Sequence, residues 1–196
     1  MQALLAFSRV IDAINARVGR LVTWLVLAAV VISAMNAIVR KAFDYSSNSL
    51  LEIQWYLFSG VFLLCAAYTL QRNEHIRIDV VAGRFSARTQ TWIDVFGTIV
   101  FLFPMCALML YESVPWALRA MQSGEISGSA GGLILWPAKI LVPVGFTLLL
   151  LQGISELIKR IAYLKGLIRN PAEKHESRSA EQELAEAILK QRGEKA

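Results

Sequence analysis

The sequence predicts an all-α integral membrane protein with four transmembrane helices, amphipathic helices at the membrane interface and both termini in the cytoplasm. Three observations support this fold class. Hydrophobic residues make up 56% of the 196 residues, and the mean hydropathy is +0.49, which is too apolar for an ordinary soluble domain. Four apolar runs are long enough to cross a hydrocarbon core of about 30 Å as helices. Basic residues are concentrated in the segments on one side of those runs.

The length and the apolar pattern together indicate one membrane domain flanked by polar ends. We expect an N-terminal interfacial helix over residues 1–20, a transmembrane domain over 21–158, and a polar, partly disordered cytoplasmic tail over 159–196. The four spans are expected at about 21–39, 50–70, 92–111 and 136–158.

The N-terminal segment has an apolar stripe at steps of three and four residues, formed by Leu4, Phe7, Ile11, Ile14 and Val18. Charged residues fall off that stripe: Arg9, Asp12, Arg17 and Arg20. The pattern predicts an amphipathic helix that lies in the membrane interface. A cytoplasmic extension of the first span is the alternative.

The first span contains one strongly polar residue, Asn36, near the end that Arg40 and Lys41 close. A carboxamide at this depth most often hydrogen-bonds a neighbouring helix, and a ligand-binding role is the alternative. The following connection, residues 42–49, is short, so the first and second spans are expected to be antiparallel neighbours.

The second span begins with polar residues. Glu52 lies in the first turn, where the helix dipole favours a negative charge. Alternatively, Glu52 forms a polar contact to a partner within the membrane together with Gln54 and Trp55.

A charged loop follows the second span and carries Arg72, His75, Arg77 and Asp79. Residues 80–91 then predict a second interfacial helix, with its basic side toward anionic headgroups. The other histidine of the chain, His175, lies in the tail. We therefore expect His75 to be a hydrogen-bonding residue and not a metal or haem ligand.

The third span contains Pro104, which should kink it. The connection over 112–133 is expected to be the longest between spans, with an amphipathic fragment at 114–121 and then a flexible run. Gly131 and Gly132 resemble part of a phosphate-binding loop, but no lysine-serine pair and no preceding strand support that interpretation.

The fourth span begins near Trp136, with Pro137 in its first turn and Lys139 able to reach the interface. Pro143 and Gly145 suggest a bend. Three polar residues appear toward the other end of the span: Gln152, Ser155 and Glu156.

The distribution of lysine and arginine predicts the orientation. Three lie in the N-terminal arm, four in the loop over 71–91 and nine in the tail, whereas four lie on the opposite side of the membrane. Because cytoplasmic segments are enriched in basic residues, both termini are expected in the cytoplasm. The net charge of +5 has the same explanation, so we expect no nucleic-acid partner.

The residue pattern gives no indication of catalysis. No nucleophile, base and carboxylate recur together, and neither HExxH nor CxxC occurs. Cys65 and Cys106 each lie inside an apolar run and are expected to be core residues. The spans contain no histidine for a haem and no paired charges for a proton relay. We expect neither a cofactor nor a metal ion, and we interpret the chain as a non-enzymatic membrane subunit with a partner.

Two segments resemble the small permease (DctQ-like) subunit of tripartite ATP-independent periplasmic (TRAP) transporters. In the first, LEIQWYLFSGVFLLCAAYTLQRNEHIRIDVVAGRFSARTQTWID, the matching positions are Glu52, Ala66, Ala67, Arg72, His75, Arg77 and Asp79. Cys65 departs from the glycine common in that family. The second, GGLILWPAKILVPVGFTLLLLQGISELIKR, is similar to a branch often labelled mannitol or chloroaromatic transport. Its matching positions are Gly131, Gly132, Trp136, Pro137, Lys139, Pro143, Gly145, Gln152, Gly153 and Glu156.

The resemblance implies a multi-pass protein of the bacterial inner membrane that scaffolds a large elevator-type permease subunit. Sodium-driven, binding-protein-dependent uptake of an organic acid is the implied process, and the implied partners are the large permease subunit, a periplasmic substrate-binding protein and membrane lipid. The candidate subunit-contact or structural residues are Asn36, Glu52, Gln54, Trp55, Arg72, His75, Arg77, Asp79, Trp136 and Lys139. The alternative functions are a stand-alone four-helix channel or small transporter, and a membrane anchor of a redox enzyme.

Overall fold

The computed structural model describes residues 1–43, 47–72 and 85–168. The helices are α1 (Gln2–Phe43), α2 (Asn48–Arg72), α3 (Ala87–Gly97), α4 (Phe103–Ser123) and α5 (Trp136–Leu164), with a π-helical turn at Thr98–Leu102 between α3 and α4. In this part of the chain the β structure is an isolated bridge between Ile126 and Ile134.

Four helical segments are long and apolar enough to cross a membrane: α1, α2, the α3–α4 helix over 87–123, and α5. The predicted helical membrane fold is therefore confirmed at this level. Helix α5 lies centrally, since it packs against α1, α2 and α4.

Helix α1 continues without interruption across the predicted boundary at residue 20. Its 42 residues give a length of about 63 Å, roughly twice the hydrocarbon thickness. The N-terminal segment is thus continuous with the first span, and its position in the membrane interface stays a prediction.

The face of α1 that packs inside the protein coincides only in part with the apolar stripe. Leu4, Phe7 and Ile14 are about half exposed, whereas Ile11 of the stripe is buried together with the polar Ser8 and Asn15. In lipid an apolar face can remain exposed and polar groups must find partners, so the packed face of this helix includes polar residues.

The third predicted span is distorted as its proline suggested, but through a π-helical turn. The N–H of Phe103 bonds to the carbonyl of Thr98, five residues earlier, immediately before Pro104. A proline has no N–H and clashes with the carbonyl four residues before it, and a wider π turn relieves that clash.

The connection after this span is shorter than the predicted 112–133, because α4 continues to Ser123 and ends at Gly124 with φ 61°. The predicted amphipathic fragment at 114–121 is the last part of α4, with Ser113, Ala117 and Ala120 buried on one face. Likewise, residues from Ala87 onward, expected in an interfacial helix over 80–91, belong to α3.

Glycines allow α2 to approach its neighbours closely. A Cβ on Gly145 would lie 2.8 Å from the carbonyl oxygen of Leu63, and a Cβ on Gly19 would lie 2.6 Å from Cγ of Tyr68. Small residues at helix crossings increase van der Waals contact, which is a main source of helix association in membranes.

Candidate functional site

Glu52 has partners within the chain, on the loop that joins α4 to α5. Its Oε2 accepts a hydrogen bond from the N–H of Leu133 at 2.7 Å, and its Oε1 accepts one from the Ser127 hydroxyl. Tyr56, one turn along α2, donates to the carbonyl of Ile134 at 3.0 Å. The start of α2 therefore holds the 124–135 loop in place.

The glycine pair of this loop has a structural role. Gly131 has φ 72°, in the left-handed region that favours glycine. A Cβ on Gly132 would lie 2.7 Å from Cβ of Ser127, so a larger residue would disrupt the turn. Asn48 Nδ2 donates to the carbonyl of Ala130 at 3.1 Å and adds a second attachment to α2.

Gln54 and Asn36 line a groove between α1 and α2. The Ser33 hydroxyl donates to Gln54 Oε1 at 3.3 Å. Asn36 is 7% exposed, and its buried Oδ1 has no hydrogen-bond partner. Trp55, in contrast, is 75% exposed. We define the Asn36 groove by its lining residues: Ser33, Asn36, Ala37, Arg40, Lys41, Leu51 and Gln54.

Arg72 closes α2 and contacts its own helix. Its Nε donates to the Tyr68 hydroxyl at 2.9 Å, and its Cζ lies 5.4 Å from the centroid of that ring. The other three residues of the predicted loop motif, His75, Arg77 and Asp79, lie outside the described residues. The same holds for the tail from residue 169 onward.

Lys139 lies in the first turns of α5, near the 124–135 loop. Its Nζ forms an ion pair with Glu125 and lies 4.7 Å from the centroid of the Trp116 ring. Trp136 begins the helix and is partly exposed. These residues therefore join α4, the loop and α5 at the end of the bundle where Glu52 lies.

Four polar residues with almost no exposed surface, Ser8, Asn15, Gln152 and Ser155, belong to a cluster that the sequence pattern did not predict. We call it the α1–α5 cluster, and it consists of Ser8, Asp12 and Asn15 on α1 and Gln152, Ser155, Glu156 and Lys159 on α5. Gln152 and Ser155 are 0% exposed.

Asp12 is the acceptor at the centre of the α1–α5 cluster. Its Oδ1 accepts hydrogen bonds from Gln152 Nε2 and from the Ser155 hydroxyl, each at 2.9 Å. Lys159 Nζ lies 3.1 Å from its Oδ2 and also pairs with Glu156. Two carboxylates thus share one lysine at the contact between α1 and α5.

Gln152 extends this network to both helices. Its Oε1 accepts from Asn15 Nδ2 at 2.7 Å, and its Nε2 donates to Glu156 Oε1 at 3.0 Å as well as to Asp12. Helix α2 is connected to the α1–α5 cluster through Gln71, whose Nε2 donates to the backbone carbonyl of Asp12 at 3.0 Å.

A sequence signal for the cluster existed. Ser8, Asp12 and Asn15 are spaced by four and three residues, which places them on one helix face. The α5 members show the same spacing. The apolar stripe of α1 is the more conspicuous pattern, and in a soluble protein that stripe would be the buried one.

A further ion pair joins α5 to the third helix. Arg160 pairs with Asp94, and Arg88 Nη2 donates to the carbonyl of Leu164 at 3.3 Å. Within residues 1–43, 47–72 and 85–168, no group of three or more histidine, cysteine or carboxylate side chains is placed to hold a metal ion. The polar contacts described here act chiefly by joining helices.

Comparison with known families gives a match over most of the transmembrane part. Residues 29–162 match the family model of the tripartite ATP-independent periplasmic transporters, DctQ component. The match spans more than half of the chain and reaches from the middle of α1 to the end of α5. Comparisons with curated proteins and with solved structures give no match.

Proposed function

Because the chain belongs to the DctQ family of tripartite ATP-independent periplasmic transporters, the small permease subunits of these systems, we propose that it scaffolds the large, elevator-type permease subunit. The family is a transporter component and not an enzyme family, and its members associate in general with a large permease and a binding protein. The four candidate spans and the family together make it a multi-pass inner membrane protein. We further propose that the complex carries out sodium-driven uptake of an organic acid.

The observation that carries the scaffold proposal is the way polar residues join the helices. The α1–α5 cluster connects the first and last spans, and Arg160 with Asp94 connects the last span to the third. A support for a moving neighbour has to keep its own shape. Buried hydrogen bonds between spans contribute to that because lipid offers no competing partner.

The topology belongs to the same proposal. With the termini in the cytoplasm, the α1–α5 cluster lies toward the cytoplasmic side and the 124–135 loop faces the periplasm, where the binding protein docks. The exposed Leu4, Phe7 and Ile14 suit contact with lipid near the cytoplasmic interface. In this arrangement residues 1–20 and the tail over 159–196 flank a transmembrane domain over 21–158.

The uptake experiment uses the large permease and the binding protein reconstituted in liposomes with and without this chain. Candidate organic acids, including 2-oxo acids, are supplied under an inward sodium gradient. We expect uptake with the chain and loss of uptake without it, and replacement of sodium by potassium is the control. Equal uptake without this chain would contradict the proposal. Solute movement by this chain alone would favour a stand-alone transporter.

The orientation is tested by labelling with a membrane-impermeant maleimide after replacing Cys65 and Cys106 with alanine. We expect Ser129→Cys to be labelled from the periplasm and Gln2→Cys to be labelled only after membrane permeabilisation. Labelling of Gln2→Cys in intact cells would contradict the topology.

A further inference from the structure

We propose that a transmembrane helix of the large permease subunit packs into the Asn36 groove, and that a hydrogen-bonding side chain of that helix pairs with the Asn36 carboxamide. This inference rests on the proposed function and specifies the surface through which the two subunits meet. The occupant is a helix with a side chain that donates and accepts hydrogen bonds, such as a carboxamide or a hydroxyl, at the depth of Asn36.

Asn36 is buried without a hydrogen-bond partner among the described residues. Its carboxamide makes no hydrogen bond to any residue in the described part of the chain, although the residue is 7% exposed. Asn15 is the useful contrast, because its buried Oδ1 likewise has no partner among the described residues, but its Nδ2 donates to Gln152 at 2.7 Å and joins two helices. A polar group in the bilayer without a partner is costly, so Asn36 indicates a partner outside residues 1–43, 47–72 and 85–168, and we assign that partner to the large permease.

The surface beside Asn36 is formed by small residues. Ser33 and Ala37 are small, exposed and four residues apart on α1. This spacing lets a second helix approach the backbone closely. Across the groove, Gln54 Oε1 accepts a hydrogen bond from Ser33, and its amide nitrogen makes no hydrogen bond to the described residues.

The groove carries two positive charges at one end. Arg40 and Lys41 lie at one end of the groove, on the side of the membrane that carries four of the twenty basic residues. The last carbonyls of a helix carry partial negative charge, and an acidic residue there would add to it. The groove therefore fits a helix whose C-terminal end, or an acidic residue near that end, lies beside these two cations.

The test uses the assembled complex and a photo-crosslinking residue, p-benzoylphenylalanine. It is introduced at Ala37 and Leu51 in the groove, and at two control positions, Met35 and Phe101. Met35 neighbours Asn36 along α1 but does not line the groove, Phe101 lies in the third span, and both controls are exposed. We expect crosslinks to the large permease from Ala37 and Leu51 and none from Met35 and Phe101.

The outcomes separate this inference from the proposed function. Crosslinks to the large permease only from the control positions would overturn the groove and leave the scaffold role intact. Crosslinks from Ala37 and Leu51 to lipid alone, in a complex that stays assembled, would assign the groove to lipid and overturn the inference. Failure of the two subunits to co-purify would contradict the proposed function itself.

Substitutions test the contribution of the carboxamide. We expect Asn36→Leu to weaken co-purification with the large permease about fivefold, the order expected for one hydrogen bond between membrane helices. Asn36→Gln should recover part of the loss, and Met35→Leu should have no effect. Size-exclusion chromatography of each isolated variant checks folding. A folded Asn36→Leu variant that co-purifies like the unchanged chain would overturn the role of Asn36.

Discussion

The α1–α5 cluster and the Asn36 groove are both polar regions within apolar helices, but they differ in how their hydrogen bonds are satisfied. In the cluster, Asp12, Gln152 and Ser155 bond to one another across two helices. In the groove, Asn36 is buried without a bond to the described residues, and Ser33 and Gln54 share one.

This difference separates two uses of polarity in a membrane. Polar groups that bond to each other stabilise the fold of the subunit, because an unpaired group in lipid is costly. A polar group without an internal partner adds little to that fold, and for Asn36 we attribute it to a contact with another subunit. Substitutions in the cluster should therefore affect the isolated chain, and substitutions in the groove should affect the complex.

Gln152→Leu is expected to have the largest effect on the isolated chain. The substitution removes the acceptor of Asn15 and one donor each from Asp12 and Glu156. Buried groups that lose a partner cost about 1–3 kcal/mol each in soluble proteins and less in membranes, so we expect a loss of about 3 kcal/mol in the free energy of unfolding. Denaturation in detergent micelles by SDS titration measures it.

Thr147→Val is the matched control on the same helix. The Thr147 hydroxyl donates to the carbonyl of Pro143 within α5, at 2.7 Å, and reaches no other helix. Its loss should change stability by no more than about 0.5 kcal/mol. Equal effects of the two substitutions would show that the cluster does not stabilise the chain as a unit.

Lys159→Met is expected to have the next largest effect. It leaves the carboxylates of Asp12 and Glu156 together without their shared cation. We expect a loss of about 2 kcal/mol, below the value for a fully buried pair because Lys159 is partly exposed. Thermal unfolding followed by size-exclusion chromatography measures it.

A double substitution examines the cause of that loss. Glu156→Gln combined with Lys159→Met removes one of the two carboxylates and should recover about half of the stability. Lys165→Met, an exposed lysine at the end of α5, should be neutral. Absence of any recovery would mean that Lys159 acts through packing and not through charge.

Much of the fold was predictable from the sequence, since the length of the apolar runs specifies helices that can cross a bilayer. The distortion at Pro104 was predictable from the chemistry of proline. The full lengths of α1 and α4 were not predictable from the sequence, because continuation of a helix depends on packing as well as on propensity. Ala117 and Ala120 are buried in the last part of α4, which the sequence predicted to be a separate amphipathic fragment within the connection between spans.

The candidate site was predictable in part. Glu52 and Lys139 were identified as polar positions at a helix end, but their partners, Leu133 and Glu125, are set by a loop that a linear pattern cannot place. Asp12 was assigned to a polar face directed away from the apolar stripe. Its contact with Gln152, 140 residues later, depends on the tertiary arrangement of α1 and α5.

Glu52→Gln should have a moderate effect on the stability of the isolated chain. Glu52 joins a helix to a loop, whereas the residues of the α1–α5 cluster join two helices. The amide nitrogen would face either the N–H of Leu133 or the Ser127 hydroxyl, so one acceptor is lost. We expect a cost of about 1 kcal/mol and faster hydrogen exchange over residues 125–135. Glu112→Gln, on an exposed carboxylate of α4, is the control. Unchanged exchange in the loop would contradict the role of Glu52.

Asn36→Leu should have the smallest effect on the stability of the isolated chain. It therefore tests most directly whether the Asn36 groove differs from the α1–α5 cluster. The substitution removes a carboxamide that has no bond to lose in the described part of the chain, so we expect a change within about 0.5 kcal/mol. A loss as large as that of Gln152→Leu, in the same SDS titration, would mean that Asn36 is bonded internally. The two polar regions would then serve the same purpose, and the argument that unpaired polarity marks a subunit contact would fail.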